Sequence, residues 1–264
     1  MRYLSYYGLY DNPFEENKNY KAYLSHEYKE LNYRLKYLKE TRGIGLITGG
    51  YGVGKTYTIK CFLENLNEEL YKVIYITSTN MTQFEMLLRI AEELGLSAGN
   101  CFKSSLEQNV RKEIVKLNKE LIIIIDNIHN LADQALKELE YLTTFDYGRN
   151  KSFMIVMVGN KSFKDIVIRK SIFENLRQKI VVNYELKTLE EKEIKEYILH
   201  LLKEVGCSKE IFENNCYTAL ANISKGNIRI LNKLVSACLM LGYQKEERKI
   251  SCETVMQARE EIII

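Results

Sequence analysis

The stretch GLITGGYGVGKT, residues 45–56, restricts the fold more than any other part of the chain. An apolar run passes into a segment with glycine at 49, 50, 52 and 54, and then into Lys55 and Thr56. Gly49, Gly54, Lys55 and Thr56 fit the spacing G-x-x-x-x-G-K-[ST]. Glycines let such a loop turn its backbone N–H groups onto phosphate oxygens. The lysine reaches the β- and γ-phosphates, the threonine offers a hydroxyl to Mg2+, and the next helix points its N-terminus at the anion. The bare spacing can arise by chance, with a structural glycine turn as the alternative. Here a short apolar strand (43–48) precedes the loop and a helix (about 56–69) follows it, the context that nucleotide binding needs. ATP and Mg2+ are therefore the expected ligands, held by Gly49, Gly50, Tyr51, Gly52, Val53, Gly54, Lys55, Thr56 and Tyr57.

A second segment, ELIIIIDNIHNL at 120–131, reads as a buried strand (121–125) that ends in a carboxylate. Asp126 is expected beside the same Mg2+, together with Thr56; the alternative is a helix N-cap. In ATPases of this pattern a glutamate usually follows and polarises the attacking water, but this chain has Asn127. An amide accepts no proton, although it can orient a water; losing a general base costs about 10²–10⁴ in rate. Nucleotide binding should survive the change. His129 either substitutes as the base or packs as a polar residue under the loop.

Along the rest of the chain, strands are expected at 72–77, 152–159 and 179–186. Helices are expected at 17–40, through about 94, and at 104–119, 131–146 and 161–177, with an aromatic, irregular segment at 1–16. Alternation of this kind predicts an α/β domain, residues 1–186, built on a five-stranded parallel sheet flanked by helices. From 187 to 264 the pattern is helical only (188–206, 209–223, 227–242 and 251–261), which predicts a small C-terminal helical lid domain.

Composition adds limits. Apolar content of 46% and charged content of 28% over 264 residues suit a soluble globular protein, and a single proline suits a helix-rich one. Net charge of +3 permits nucleic-acid binding without demanding it. Six cysteines without a C-x-x-C pair read as reduced thiols. The opening MRYLSYYGLYDNPF has no signal-peptide core and no window approaches 18 apolar residues, so no membrane span and a cytoplasmic location are expected.

Two further polar residues complete the reading. Asn160, ending the fourth strand in MVGN, is expected to touch the γ-phosphate or the water; Arg229, in KGNIRILN, is expected to reach the nucleotide from the helical domain. With these in place the chain resembles AAA+ ATPases, within the group that holds the ExeA-type secretion ATPases and the transposition regulators of the TniB, TnsC, IstB and MuB kind. The likeness lies in YYGLYDNPFEEN, IIIIDNIHNL, the VGN that resembles a sensor 1, and GNIRILNKL, which resembles a sensor 2 helix.

The resemblance implies an ATP-dependent homo-oligomer, ring or helical filament, in which a neighbour's arginine completes each site. Arg177 in ENLRQKI is the nearest candidate, with Arg169 as another; the position most like the group's arginine holds Lys179. It also implies sequence-independent contact with double-stranded DNA from Thr79, Asn80, Lys103, Ser104, Arg149 and Lys151, and a transposase as partner. The leading expectation is thus a transposition regulator with slow hydrolysis. An ExeA-like secretion-assembly ATPase is the runner-up, lowered because the chain ends at EEIII without the membrane and periplasmic parts such proteins carry. A replication initiator or signalling NTPase of related architecture is the third.

Overall fold

The computed structural model describes residues 2–15, 18, 20–97, 102–144 and 153–262. Five strands, β1 (Gly43–Gly49), β2 (Tyr71–Thr77), β3 (Glu120–Asp126), β4 (Met154–Val158) and β5 (Ile180–Leu186), form one sheet. Every pairing is parallel and the order is β2-β3-β4-β1-β5. Parallel neighbours need long crossovers, and helices supply them. They are α3 (Lys55–Glu64), α4 (Gln83–Glu93), α5 (Lys103–Lys116), α6 (Asp133–Thr144), α7 (Lys161–Arg169) and the short α8 (Glu174–Gln178), with α2 (His26–Thr41) leading into β1. Coverage on both faces is why β3 is an unbroken apolar run: Ile122, Ile123, Ile124 and Ile125 are all fully buried.

Register decides where chemistry can sit. Met157 of β4 lies opposite Leu46 of β1 and opposite Ile125 of β3. The C-terminal ends of β4 and β3 therefore finish level and β1 runs two residues further, at the point where the chain's winding reverses. That edge is the usual ligand crevice of an open parallel sheet.

The chain divides into two compact units. One comprises Leu31–Gly49 and Lys55–Leu186 and contains the sheet; the other comprises Met1–Glu30, Gly50–Gly54 and Lys187–Ile264. In the second unit α9 (Glu191–Glu204), α10 (Asn214–Ser224), α11 (Ile228–Gln244) and α12 (Cys252–Glu261) pack around Leu202, Leu234, Leu239 and Phe212. The aromatic N-terminal segment joins this core. Its residues 2–7, expected to be irregular, form a helix, α1 (Arg2–Tyr7). The hydroxyls of Tyr6, Tyr7 and Tyr10 donate to the carbonyls of Glu246 (2.7 Å), Glu247 (3.0 Å) and Glu204 (2.6 Å). These bonds satisfy carbonyls at and beyond the ends of α11 and α9, where intrahelical partners run out.

Other element ends differ from expectation for local reasons. The helix expected from residue 17 starts at His26, where Ser25 Oγ accepts from the Tyr28 amide and Glu193 accepts from the His26 amide. The helical spacing of Tyr20 and Tyr23 instead reports packing of these rings on the helical unit's core. Helix α3 stops at Glu64, five residues before the expected 69, and Asn65 folds its amide back onto the Cys61 carbonyl. The helical segments expected over 161–177 are α7 and α8, separated by a 3₁₀ turn at Ser171–Phe173, and the helix expected from 209 starts at Asn214, after the Phe212–Ile250 bridge.

Gly242, inside α11, marks how closely α1 approaches. A Cβ there would stand 2.5 Å from the Tyr7 hydroxyl and 3.0 Å from Ile250. Alanine gains about 1 kcal/mol of helix propensity over glycine, but the crowding outweighs it. Gly242→Ala should lower stability by roughly 1–3 kcal/mol, read by urea unfolding. Part of that loss should return in the Tyr7→Phe background, where the crowded hydroxyl is gone.

Candidate functional site

The glycine loop leaves β1 through backbone angles that side chains resist. Gly52 has φ +72° and Gly54 φ +99°, so both positions need glycine. Lys55 opens α3, and its ammonium donates to the Gly49 carbonyl (3.0 Å) at the loop's other end. Thr56 follows, and its hydroxyl donates to Asp126 Oδ2 at 2.7 Å. Lys55, Thr56 and Asp126 are thereby brought together at the C-terminal edge of the sheet. Tyr51 is largely exposed and Tyr57 partly so.

Asp126 is 4% exposed and accepts three hydrogen bonds: from Thr56, from the Tyr75 hydroxyl (2.8 Å) and from the Asn127 amide (2.8 Å). Tyr75 belongs to no motif of the sequence. It sits in β2 opposite Ile124, on the same face as Asp126 and two positions back, a diagonal that a long ring can span. Burial, and then the neighbouring Asp126 carboxylate, push its phenol well above the usual range, so it stays protonated as a donor. A polar-tipped ring inside the otherwise aliphatic KVIYIT was the available signal.

These residues fit a Mg2+ nucleotide. A hydroxyl and a carboxylate face each other with no cationic side chain between them, and Mg2+ asks for few protein ligands beyond the phosphates and water. Asn127 adopts a left-handed conformation (φ 56°, ψ 36°), which asparagine tolerates better than most residues, and its side chain does not cap the 3₁₀ turn that follows. His129, on that turn, is half-buried. Burial and the charge of Lys55 lower its pKa against the pull of Asp126, which favours the neutral imidazole.

Several of the remaining candidates have contacts of their own. Asn160 caps α7, its carbonyl oxygen accepting from the Phe163 amide (3.0 Å) and the Ser162 hydroxyl (2.9 Å). Arg177 spends its guanidinium on the carbonyls of Val167, Ile168 and Lys170 at the end of α7. Lys179 donates to the Glu140 carbonyl, while Arg169 is exposed. In the helical unit, the Arg229 main-chain amide donates to the Gly52 carbonyl (3.3 Å). Thr79, Asn80 and Ser104 are exposed, whereas Lys103 is ion-paired with Glu107 (3.4 Å) and Glu138 (3.9 Å). Arg149 and Lys151 lie outside the described residues, as does Cys101; Cys207, Cys216 and Cys238 are buried free thiols.

The family model of an AAA domain matches residues 38–167, from the last turns of α2 into α7. The strand order and flanking helices are those of the AAA+ P-loop fold. By sequence, the chain is 26% identical over 254 residues to general secretion pathway protein A of Aeromonas hydrophila, covering 94% of this chain and 46% of that one. The chain spans about half the length of the curated relatives it matches. By fold, it resembles Cdc6p of Pyrobaculum aerophilum, with a TM-score of 0.78 at 15% identity over 97% of this chain and 72% of that one. It also resembles the Aeropyrum pernix ORC1 protein, solved in complex with DNA, with a TM-score of 0.72 at 16% identity over 96% of this chain and 69% of that one. No helix among the described residues is long and apolar enough to cross a membrane.

Removing one donor from a buried carboxylate costs about 1.5–3 kcal/mol. Tyr75→Phe should therefore lower the unfolding free energy by that amount. It should also raise the Mg2+ concentration needed for nucleotide binding, as measured by a Mg2+ titration of a fluorescent ATP analogue.

Proposed function

We propose that this chain is an ATP-binding AAA+ switch that turns over slowly, assembles with further copies in its ATP state, and acts on duplex DNA to recruit or activate a transposase. The observation that carries the nucleotide part is the Thr56–Asp126 hydrogen bond beside the glycine loop and Lys55. Lys55 would exchange the Gly49 carbonyl for the β- and γ-phosphates. Thr56 and Asp126 would hold Mg2+, whose role when bound is to neutralise charge on those oxygens. Asn127 can orient a water but takes no proton from it, so the ATP state is long-lived.

For the neighbour's arginine, Arg169 is the better candidate. Arg177 is engaged in fastening the end of α7, and Arg169 is exposed in the last turn of that helix. On the DNA side, support comes from the exposed Thr79, Asn80 and Ser104, from the DNA-bound fold neighbour, and from charge. Residues 187–264 carry 12 basic and 12 acidic side chains, so of the totals 38 and 35, 26 and 23 fall in residues 1–186 and the excess of 3 lies there. A secretion-assembly ATPase is the second reading, favoured by the 26% identity to general secretion pathway protein A.

Turnover of ATP tests the switch. A left-handed glutamate costs about 1–3 kcal/mol of strain, whereas a general base is worth roughly 3–5 kcal/mol of barrier. Asn127→Glu should thus fold and hydrolyse ATP at least about tenfold faster; an unchanged rate in a folded variant would remove Asn127 from the explanation. Affinity for duplex DNA at fixed salt should rise with a non-hydrolysable ATP analogue. Equal affinity with and without it would sink the DNA reading and leave the secretion one. Arg169→Ala should reduce turnover of the assembled protein by about 10³-fold or more while Arg177→Ala mainly destabilises it.

A further inference from the structure

The segment GNIR draws attention by its arginine, yet a side chain that touches the phosphate loop is that of Asn227. Its Nδ2 donates to the Tyr51 carbonyl at 2.7 Å. The opposite end of the same amide, Oδ1, accepts from the Ile230 amide at 3.2 Å and caps α11. Beside it, the Arg229 amide donates to the Gly52 carbonyl at 3.3 Å. A Cβ on Gly52 would overlap Asn227 Oδ1 and stand 2.8 Å from Arg229 Cβ, and one on Gly54 would reach Ile228 at 3.4 Å. Two successive carbonyls at the crest of the loop are therefore fastened to the first turn of α11. Glycine at 52 answers to that fastening as well as to its φ.

We propose that Asn227 is a positioning residue for the phosphate loop. Its side chain turns the Tyr51 carbonyl toward the start of α11, which fixes the peptide planes of the crest before nucleotide arrives. The donors that a phosphate needs are the N–H groups of those same planes. A crest already ordered loses less conformational entropy on binding. The inference rests on the nucleotide reading given above and deepens it by naming what sets the loop's shape.

The cap and the tether use different atoms, so they can be separated. Asn227→Ser and Asn227→Asp both retain an oxygen that caps a helix but lose the Nδ2 donor. Amide hydrogen exchange in the nucleotide-free protein gives two reporters: the Ile230 amide for the cap and the Arg229 amide for the crest. In both variants Ile230 exchange should stay within about twofold of native, while Arg229 exchange should rise by roughly three- to tenfold, the size of one net hydrogen bond. Affinity for a non-hydrolysable ATP analogue with Mg2+ should fall by a similar factor. Asn227→Ala should speed both amides.

Arg229 exchange at the native rate in a variant whose Ile230 amide stays protected would overturn the proposal, as would faster Arg229 exchange with unchanged nucleotide affinity. If serine fails to cap, the aspartate variant decides. A native chain that bound no ATP would end the functional reading, and with it the positioning role, while the exchange rates would still show whether the tether exists.

Discussion

A carboxylate taken out of water is tolerated only when its oxygens are met by donors, and Asp126 sets this condition on the sheet around it. Its two oxygens collect a hydroxyl from α3, a phenol from β2 and the amide that begins the turn after β3. The donors come from a helix, a strand and a turn, so the ends of β2 and β3 and the start of α3 must meet at one edge. The parallel register delivers that alignment, and the aliphatic filling of β3 holds it. The site is in this sense the end grain of the sheet, and its accuracy is inherited from packing several turns away.

How much of this could be read from residues alone depended on whether a signal was local. The loop, its lysine and threonine, and the aspartate closing an aliphatic strand lie in short contiguous stretches, and the five strands follow from apolar runs bounded by polar ones. Tyr75 and Asn227 were not legible in the same way, because each acts on a residue far along the chain through one polar atom at its tip. Arg177 shows the converse. Sequence position recommended it for a charge-reading role, but its guanidinium reaches three carbonyls of its own subdomain, a use that no spacing rule announces. Helix ends differ from the sequence pattern where side chains compete with the backbone, as at Asn65, or where tyrosines spaced like a helix pack on a core without forming one.

Asn127 joins two explanations that need not exclude one another. Chemistry assigns it a missing proton acceptor; conformation assigns it a left-handed residue directly after a buried strand. Asparagine satisfies the second at low cost, so the residue that lacks a proton acceptor also suits the backbone there. The fold itself is shared with proteins of differing names, among them a general secretion pathway protein by sequence and an ORC1 protein solved in complex with DNA by shape. The task of this chain therefore has to be sought in the groups at the sheet's edge and on exposed loops, since the architecture alone does not carry it.

The tyrosines of α1 end their bonds on residues as much as 240 positions away. During synthesis these aromatic residues precede their partners, which exist only when α11 has been made. The sheet's strands, all complete by residue 186, can pair in that interval. Closure of the helical unit is thus a late, long-range event. Until then the growing chain carries these tyrosines ahead of the carbonyls that will accept their hydroxyls.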